Sequence, residues 1–180
     1  MIDRGNDRDP SELDAGDRLG PATVPESVAD SSLTRLPRRP VFAAAAAVFA
    51  LEMALSGLYG FHRDELYFLD CARHLQGGYV DQPILTPLLA RVSLELFGVS
   101  LPGIRFWSAL AAAATVIIGA MLARELGGGR LAQIIAAIGV ATMPVLLGAD
   151  HLLDTTPFDI LAWAGLAWVV VRIGRTENPR

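Results

Sequence analysis

Apolar and polar positions along this chain fall into long blocks, not into short alternating runs. Residues 1–39 are polar and rich in Pro, Ser and Gly. The first apolar run, PVFAAAAAVFALEMALSGLYG, covers residues 40–60 and is 21 residues long. About 20 residues at ~1.5 Å each cross ~30 Å of hydrocarbon. Glu52 is the one charge inside this run, and Pro40 suits a first helical turn, where it breaks no ladder bond. A second run covers 101–123, with Arg105 near its start and Arg124 directly after it. A third, 131–149, is 19 residues long and polar only at Gln133 and Thr142, with a kink expected at Pro144. The fourth, 158–173, carries Asp159 near its start. The pattern predicts an all-α, polytopic helical membrane protein with about four transmembrane helices, at 40–60, 101–123, 131–149 and 158–173.

The 61–100 segment breaks the rhythm and is expected to be an outer loop holding short interfacial helices. In HRDELYFLDCARHLQ, Phe68, Cys71, Ala72 and Leu75 share one face at helical spacing. Gly77 and Gly78 are expected to end that helix. The following ILTPLLARVSLELFG is apolar around most of its circumference, with Arg91 and Glu95 at i,i+4. Such a helix lies at the interface or packs on the bundle.

Arginine placement sets the orientation. All 15 basic residues are Arg. With four crossings, one side receives eight of them (Arg35, Arg38, Arg39, Arg124, Arg130, Arg172, Arg175 and Arg180), and the other receives four, Arg63, Arg73, Arg91 and Arg105. The N-terminus, the GGG turn and the C-terminus are therefore expected in the cytoplasm, and the 61–100 and 150–157 loops outside.

Composition adds exclusions. Residues 1–30 hold eight acids against three arginines, and the whole chain has a net charge of −4. Residues 1–39 are expected to form a disordered cytoplasmic tail ahead of a membrane domain over 40–180, because so polar a stretch buries too little apolar surface to offset chain entropy. A cleavable signal peptide places its apolar core earlier than residue 40. No basic patch suggests nucleic acid. Cys71 is the only cysteine, which excludes an intramolecular disulfide and a multi-cysteine metal site.

Candidate chemistry gathers on the expected outer side, with Asp64, Glu65, Asp70, Asp81, Asp150 and Asp154, and with His62, His74 and His151. If the second and third crossings pair as a hairpin, their two loops meet. Carboxylates grouped at a membrane surface do general-base work or hold a divalent cation, and burial with mutual repulsion raises pKa values in such groups. Plainer readings stand beside these. Asp64 and Glu65 open a helix, where acids cap free N–H groups. Asp81 precedes Gln82-Pro83 and suits a turn, Asp154 suits a helix cap, and the histidines suit an interface. Glu52, inside a span, is expected to face the bundle or water, or to lie shallow or protonated.

Three stretches carry a resemblance to a known family. They are FHRDELYFLDCARHLQGGYVDQPILTPLLARVSLELFG, GIRFWSALAAAATVIIGAMLARELGGGRLAQIIAA and HLLDTTPFDILAW. Over residues 40–180 the chain resembles the N-terminal part of GT-C fold glycosyltransferases, in the bacterial dolichyl-phosphate-mannose protein mannosyltransferase and aminoarabinose transferase group. The matching positions are Asp64-Glu65, Tyr67, the 78–83 stretch GYVDQP, Arg105 and Asp154, with Ile84 where the pattern has a second proline. The resemblance implies a membrane enzyme that moves a sugar from a polyprenyl-phosphate carrier to an acceptor hydroxyl on the outer face. It implies Asp64 as general base, with Glu65 beside it in the catalytic pair. Tyr67, Asp81, Arg91, Arg105 and Asp154 are implied on the substrate side, the arginines meeting the lipid phosphate with a forked guanidinium. No cofactor is certain. A divalent metal ion is compatible with the site, and Glu65, His151 and Asp154 are its candidate ligands.

The family's members have more helices than the four here, and RIGRTENPR resembles a cytoplasmic loop cut before a fifth. A truncated or split gene product is thus one expectation, with a partner polypeptide supplying the missing helices. Membrane lipid is the other expected partner. The competing readings are a non-catalytic membrane subunit or remnant of the same fold, and a transporter fragment, which would place its polar groups near the bilayer midplane.

Overall fold

The computed structural model describes residues 33–177, and among them there are seven helices and no strand. The expected tail lies outside the described residues as far as residue 32. The helices are α1 (Arg38–Leu55), α2 (Arg63–Arg73), α3 (Leu85–Phe97), α4 (Leu101–Glu125), α5 (Arg130–Ala141), α6 (Pro144–Ala149) and α7 (Thr156–Glu177).

The centre is α4, which packs against α1, α3, α5 and α7. Ser100 starts it by accepting from the Gly103 N–H at 3.2 Å, with Pro102 in the first turn. Its small side chains Ala112, Ala113 and Ala120, with Val116, meet Val41, Ala45 and Val48 of α1 and Ala137 of α5. Small residues let helix backbones approach closely, and Ala is also the strongest helix former. The GGG turn closes α4 onto α5. Gly127 has φ +84°, its N–H bonds to Arg124 O at 3.0 Å, and Gly128 N–H bonds to Ala123 O at 2.8 Å. This is the paired-bond helix ending that favours glycine at the left-handed position. In α5, buried Gln133 donates to Gly128 O at 2.9 Å and to Thr34 O at 3.4 Å, tying the approach to α1 onto the same turn.

Among the described residues two helices, Leu101–Glu125 and Thr156–Thr176, are long and apolar enough to cross a membrane. The apolar run over 131–149 is divided between α5 and α6, with the break at Thr142–Met143 and Pro144 opening α6. The expected kink is therefore a full interruption, because Pro144 has no N–H to continue the ladder. Outward faces stay apolar: Phe42 and Leu51 on α1, Leu131 and Ile135 on α5, and Trp163, Leu166 and Val170 on α7 are exposed.

The amphipathic α2 lies against α3, burying Phe68, Leu69 and Ala72 with Ala90, Ile104 and Leu153. It ends at Arg73, ahead of Gly77-Gly78, so Leu75 lies beyond the helix and is exposed. The Tyr79 hydroxyl donates to the Cys71 carbonyl at 3.0 Å and so serves the last turn that the glycines were expected to close. The α3–α4 corner is fixed by Ser93, whose hydroxyl donates to Gly103 O at 3.0 Å and accepts from Trp107 Nε1 at 2.7 Å.

Candidate functional site

The first turn of α2 is built around a capping box. His62 Nδ1 accepts from the Asp64 N–H at 3.4 Å, and the Glu65 carboxylate accepts from the His62 N–H at 2.8 Å. Consecutive residues on a helix point about 100° apart. The acidic pair is therefore divided: Glu65 is fully buried, whereas the Asp64 side chain is 44% exposed.

Glu65 is the hub of this end of the bundle. Arg105 Nε donates to its Oε1 at 2.7 Å and Nη2 to its Oε2 at 2.8 Å, a forked pair. The Leu153 N–H donates to Oε1 at 3.2 Å. The rest of the guanidinium is also occupied: Nη1 donates to Ser56 O at 2.5 Å and Nη2 to Gly60 O at 3.0 Å. Its carbon lies 4.6 Å from the centre of the Tyr59 ring. One ion pair thus joins the end of α1, the start of α2, α4 and the loop before α7. Arg105 was expected at a lipid phosphate. In this structure it is only 2% exposed, and its donors already face protein acceptors. Glu65 was expected to be catalytic or metal-binding, and the same bonds occupy it.

Asp64 has the accessible carboxylate. Its nearest neighbours are Arg63 Nε at 3.1 Å and His62 Nδ1 at 3.6 Å. One turn on, the Tyr67 hydroxyl donates to both oxygens of Asp81, at 3.0 and 2.9 Å. This joins two of the residues singled out in the sequence, across the 74–84 connection. The bond to Asp81 holds the Tyr67 proton in place and pushes its pKa upward. Gln82 donates to Cys71 Sγ at 3.6 Å, so the GYVDQP stretch is bound back onto α2 at three points.

Arg91 projects from α3 and pairs with Glu95 at 2.8 Å. Both are partly exposed, so the pair can open at little cost. Asp154 accepts from the Thr155 N–H at 2.5 Å and from the Thr156 hydroxyl at 3.0 Å, just ahead of α7. Beside it lies a cleft of about 380 Å³ lined by Thr86 and Pro83 from the α3 side and by Thr155, Thr156, Phe158 and Asp159 from the α7 side.

His151 and Glu52 pair at 2.8 Å, Nδ1 to Oε2, so the acid inside the first apolar run faces the bundle. Their separation of 99 residues hides this pairing from any local pattern. Next to them Asp150 is 1% exposed with neither carboxylate oxygen hydrogen-bonded. Burial, and then the charge of Glu52, push its pKa up to about 7. Among the described residues no three His, Cys, Asp or Glu side chains are placed to hold a metal ion. The candidate ligands Glu65, His151 and Asp154 instead face Arg105, Glu52 and the two threonines. Sequence reasoning also missed Ser56 and Gly60, whose contribution is a backbone carbonyl with no side-chain signature.

An all-helical bundle with membrane-length helices, its polar residues joined at one end, is the architecture of the helical GT-C membrane fold. Residues 81–180 match the family described as dolichyl-phosphate-mannose-protein mannosyltransferase, more than half of the chain, and the protein belongs to that family. The matched region contains Asp81, Arg91, Arg105 and Asp154. Comparison with curated proteins and with solved structures gave no match.

Proposed function

We propose that this protein transfers a sugar from a polyprenyl-phosphate donor to an acceptor hydroxyl on the outer face of the cell membrane, with Asp64 as general base. The observation that carries the proposal is the Glu65–Arg105 pair. It draws together the stretches on which the family resemblance rests and leaves the adjacent Asp64 carboxylate facing outward. Family membership supports a dolichyl-type phosphate donor. Asp64 takes the proton of the acceptor hydroxyl as its oxygen bonds to the anomeric carbon. The bond from that carbon to the phosphate oxygen breaks, and the polyprenyl phosphate leaves. Arg91, released from Glu95, is the arginine we assign to the phosphate. Tyr67 with Asp81, and Asp154 with its threonines, shape the two walls of the site. Glu65 and Arg105 act as positioning residues.

The apolar outward faces of α1, α5 and α7 support a multi-pass placement of residues 40–180. The arginine distribution supports a cytoplasmic N-terminus. The test is transfer of radiolabelled mannose from polyprenyl-phosphate mannose in membranes carrying the chain. Asp64→Asn should lower transfer by about 10²–10⁴-fold, the usual worth of a general base, with the unfolding temperature unchanged. Undiminished transfer would remove Asp64 from the mechanism.

A further inference from the structure

Five arginines line a cleft of about 680 Å³ at the far end of the bundle: Arg35, Arg38 and Arg39 at the start of α1, Arg124 at the end of α4 and Arg130 at the start of α5. Among the described residues no acidic side chain lines it. Among the described residues none of the five makes an ion pair or a side-chain hydrogen bond, and Arg124 Nε is buried without a partner. Two helices begin here, α1 after Pro37 and α5 after Gly129, and neither has a side-chain cap. At α1 the Arg38 N–H bonds to Leu36 O and Pro40 has no N–H, so the open first-turn N–H groups are mainly those of α5, and these with the positive dipole ends add to the guanidinium charge. So much unpaired positive charge, part of it desolvated, calls for an anion.

The surface beside the cleft says what kind. Met121 of α4 and Leu36 mix with the arginines. One turn further along the same two helices runs an apolar groove of about 280 Å³, lined by Phe42, Ala46 and Phe49 of α1 and by Leu110, Ala113 and Ile117 of α4. From Phe42 to Phe49 it extends roughly 10 Å at 1.5 Å per residue. A charged cleft with a greasy groove beginning about one turn along the same helices matches an amphiphile: phosphate in the cleft, acyl chain in the groove.

We propose that this seam between α1 and α4 is a binding site for a phospholipid with an anionic phosphate headgroup. Its charged cleft lies at the Arg124 end of α4, about 28 Å along that helix from Arg105, which holds Glu65 beside Asp64. The lipid held here is therefore not the sugar donor, and the proposal stands whether or not Asp64 is the base.

The test titrates the full chain, purified and delipidated in detergent, with phosphatidylglycerol and with phosphatidylcholine of the same acyl chains. Phosphatidylglycerol should bind the tighter. A membrane-surface arginine is worth roughly fivefold in affinity for an anionic lipid, so Arg35→Gln/Arg38→Gln/Arg39→Gln should weaken its binding roughly a hundredfold. These three side chains are exposed and support no other part of the fold, and circular dichroism should be unchanged. Ala46→Phe fills the groove without touching a charge and should weaken both lipids. Equal affinity for the two lipids, or wild-type affinity in the triple variant, would overturn the site. Displacement of the lipid by millimolar inorganic phosphate, with no effect of Ala46→Phe, would overturn the lipid and leave an anion site alone.

Discussion

Arg105→Met cuts the hub of the candidate site and distinguishes a positioning arginine from a substrate-binding one. The wild-type side chain donates to both Glu65 oxygens, to Ser56 O and to Gly60 O. Methionine keeps much of the volume and none of the donors, and it leaves the Glu65 carboxylate buried with only the His62 and Leu153 N–H groups. Removing one partner of a buried ion pair costs about 3–5 kcal/mol. Glu65→Gln should cost a similar amount, since its single carbonyl oxygen can serve only one of the His62 and Leu153 N–H groups and its NH2 faces the other, with Arg105 left without a counter-charge. The decisive quantity is the coupling. The two residues share one network, so the double variant should fall short of additivity by about 1–3 kcal/mol. Denaturant unfolding of the four proteins in one detergent, followed by tryptophan fluorescence, measures this cycle. Strict additivity, or a loss below about 1 kcal/mol for Arg105→Met, would refute the positioning role. Loss of donor binding with stability intact would return Arg105 to the lipid phosphate.

Other consequences can be checked more briefly. Asp150 has a folded-state pKa of about 7 against 3.8 for the ordinary carboxyl, so the folded protein holds a proton that the unfolded chain has released. Its contribution therefore falls as pH rises from 3.8 toward about 7, and Asp150→Asn should flatten the unfolding temperature over that range. Tyr67→Phe removes the link between α2 and Asp81. Amide exchange over residues 74–84 should quicken, with the global melting temperature nearly unchanged. Gly127→Ala forces a side chain into a φ of +84° and should cost about 1–2 kcal/mol, read by denaturant unfolding.

Legibility in the sequence followed the range of each interaction. The long apolar runs announce α4 and α7 because that signal is local. The break inside 131–149 was half visible: Pro144 marked the place, but only packing decides between a kink and two helices. At α2 the glycine rule pointed past the true end, because Tyr79, eight residues from Cys71, supplies the cap instead. The site divides the same way. The acidic pair, Tyr67, Asp81 and Arg105 could be listed as candidates, but the pairing of Tyr67 with Asp81 and of Arg105 with Glu65 depends on chain returns of 14 and 40 residues. Glu52 was conspicuous as an acid in a span, while its partner His151 was one polar loop residue among several.

The division of labour proposed above for Asp64 and Glu65 follows from helix geometry, and it would give two adjacent acids separate tasks. A base must be held within about half an ångström of its productive position, at hydrogen-bond reach of the hydroxyl, yet stay open to the acceptor. One exposed carboxylate on a loop provides access without rigidity. Here the neighbour provides the rigidity. Glu65 fixes the first turn of α2 at both ends, by the His62 N–H within the turn and by Arg105 and the Leu153 N–H across the bundle. The step of about 100° to the preceding residue then turns Asp64 outward on a backbone that cannot drift. Exchanging the two residues would put the shorter carboxylate against Arg105 and the longer, looser one at the surface. Both functions should suffer in that swap although composition and charge are unchanged.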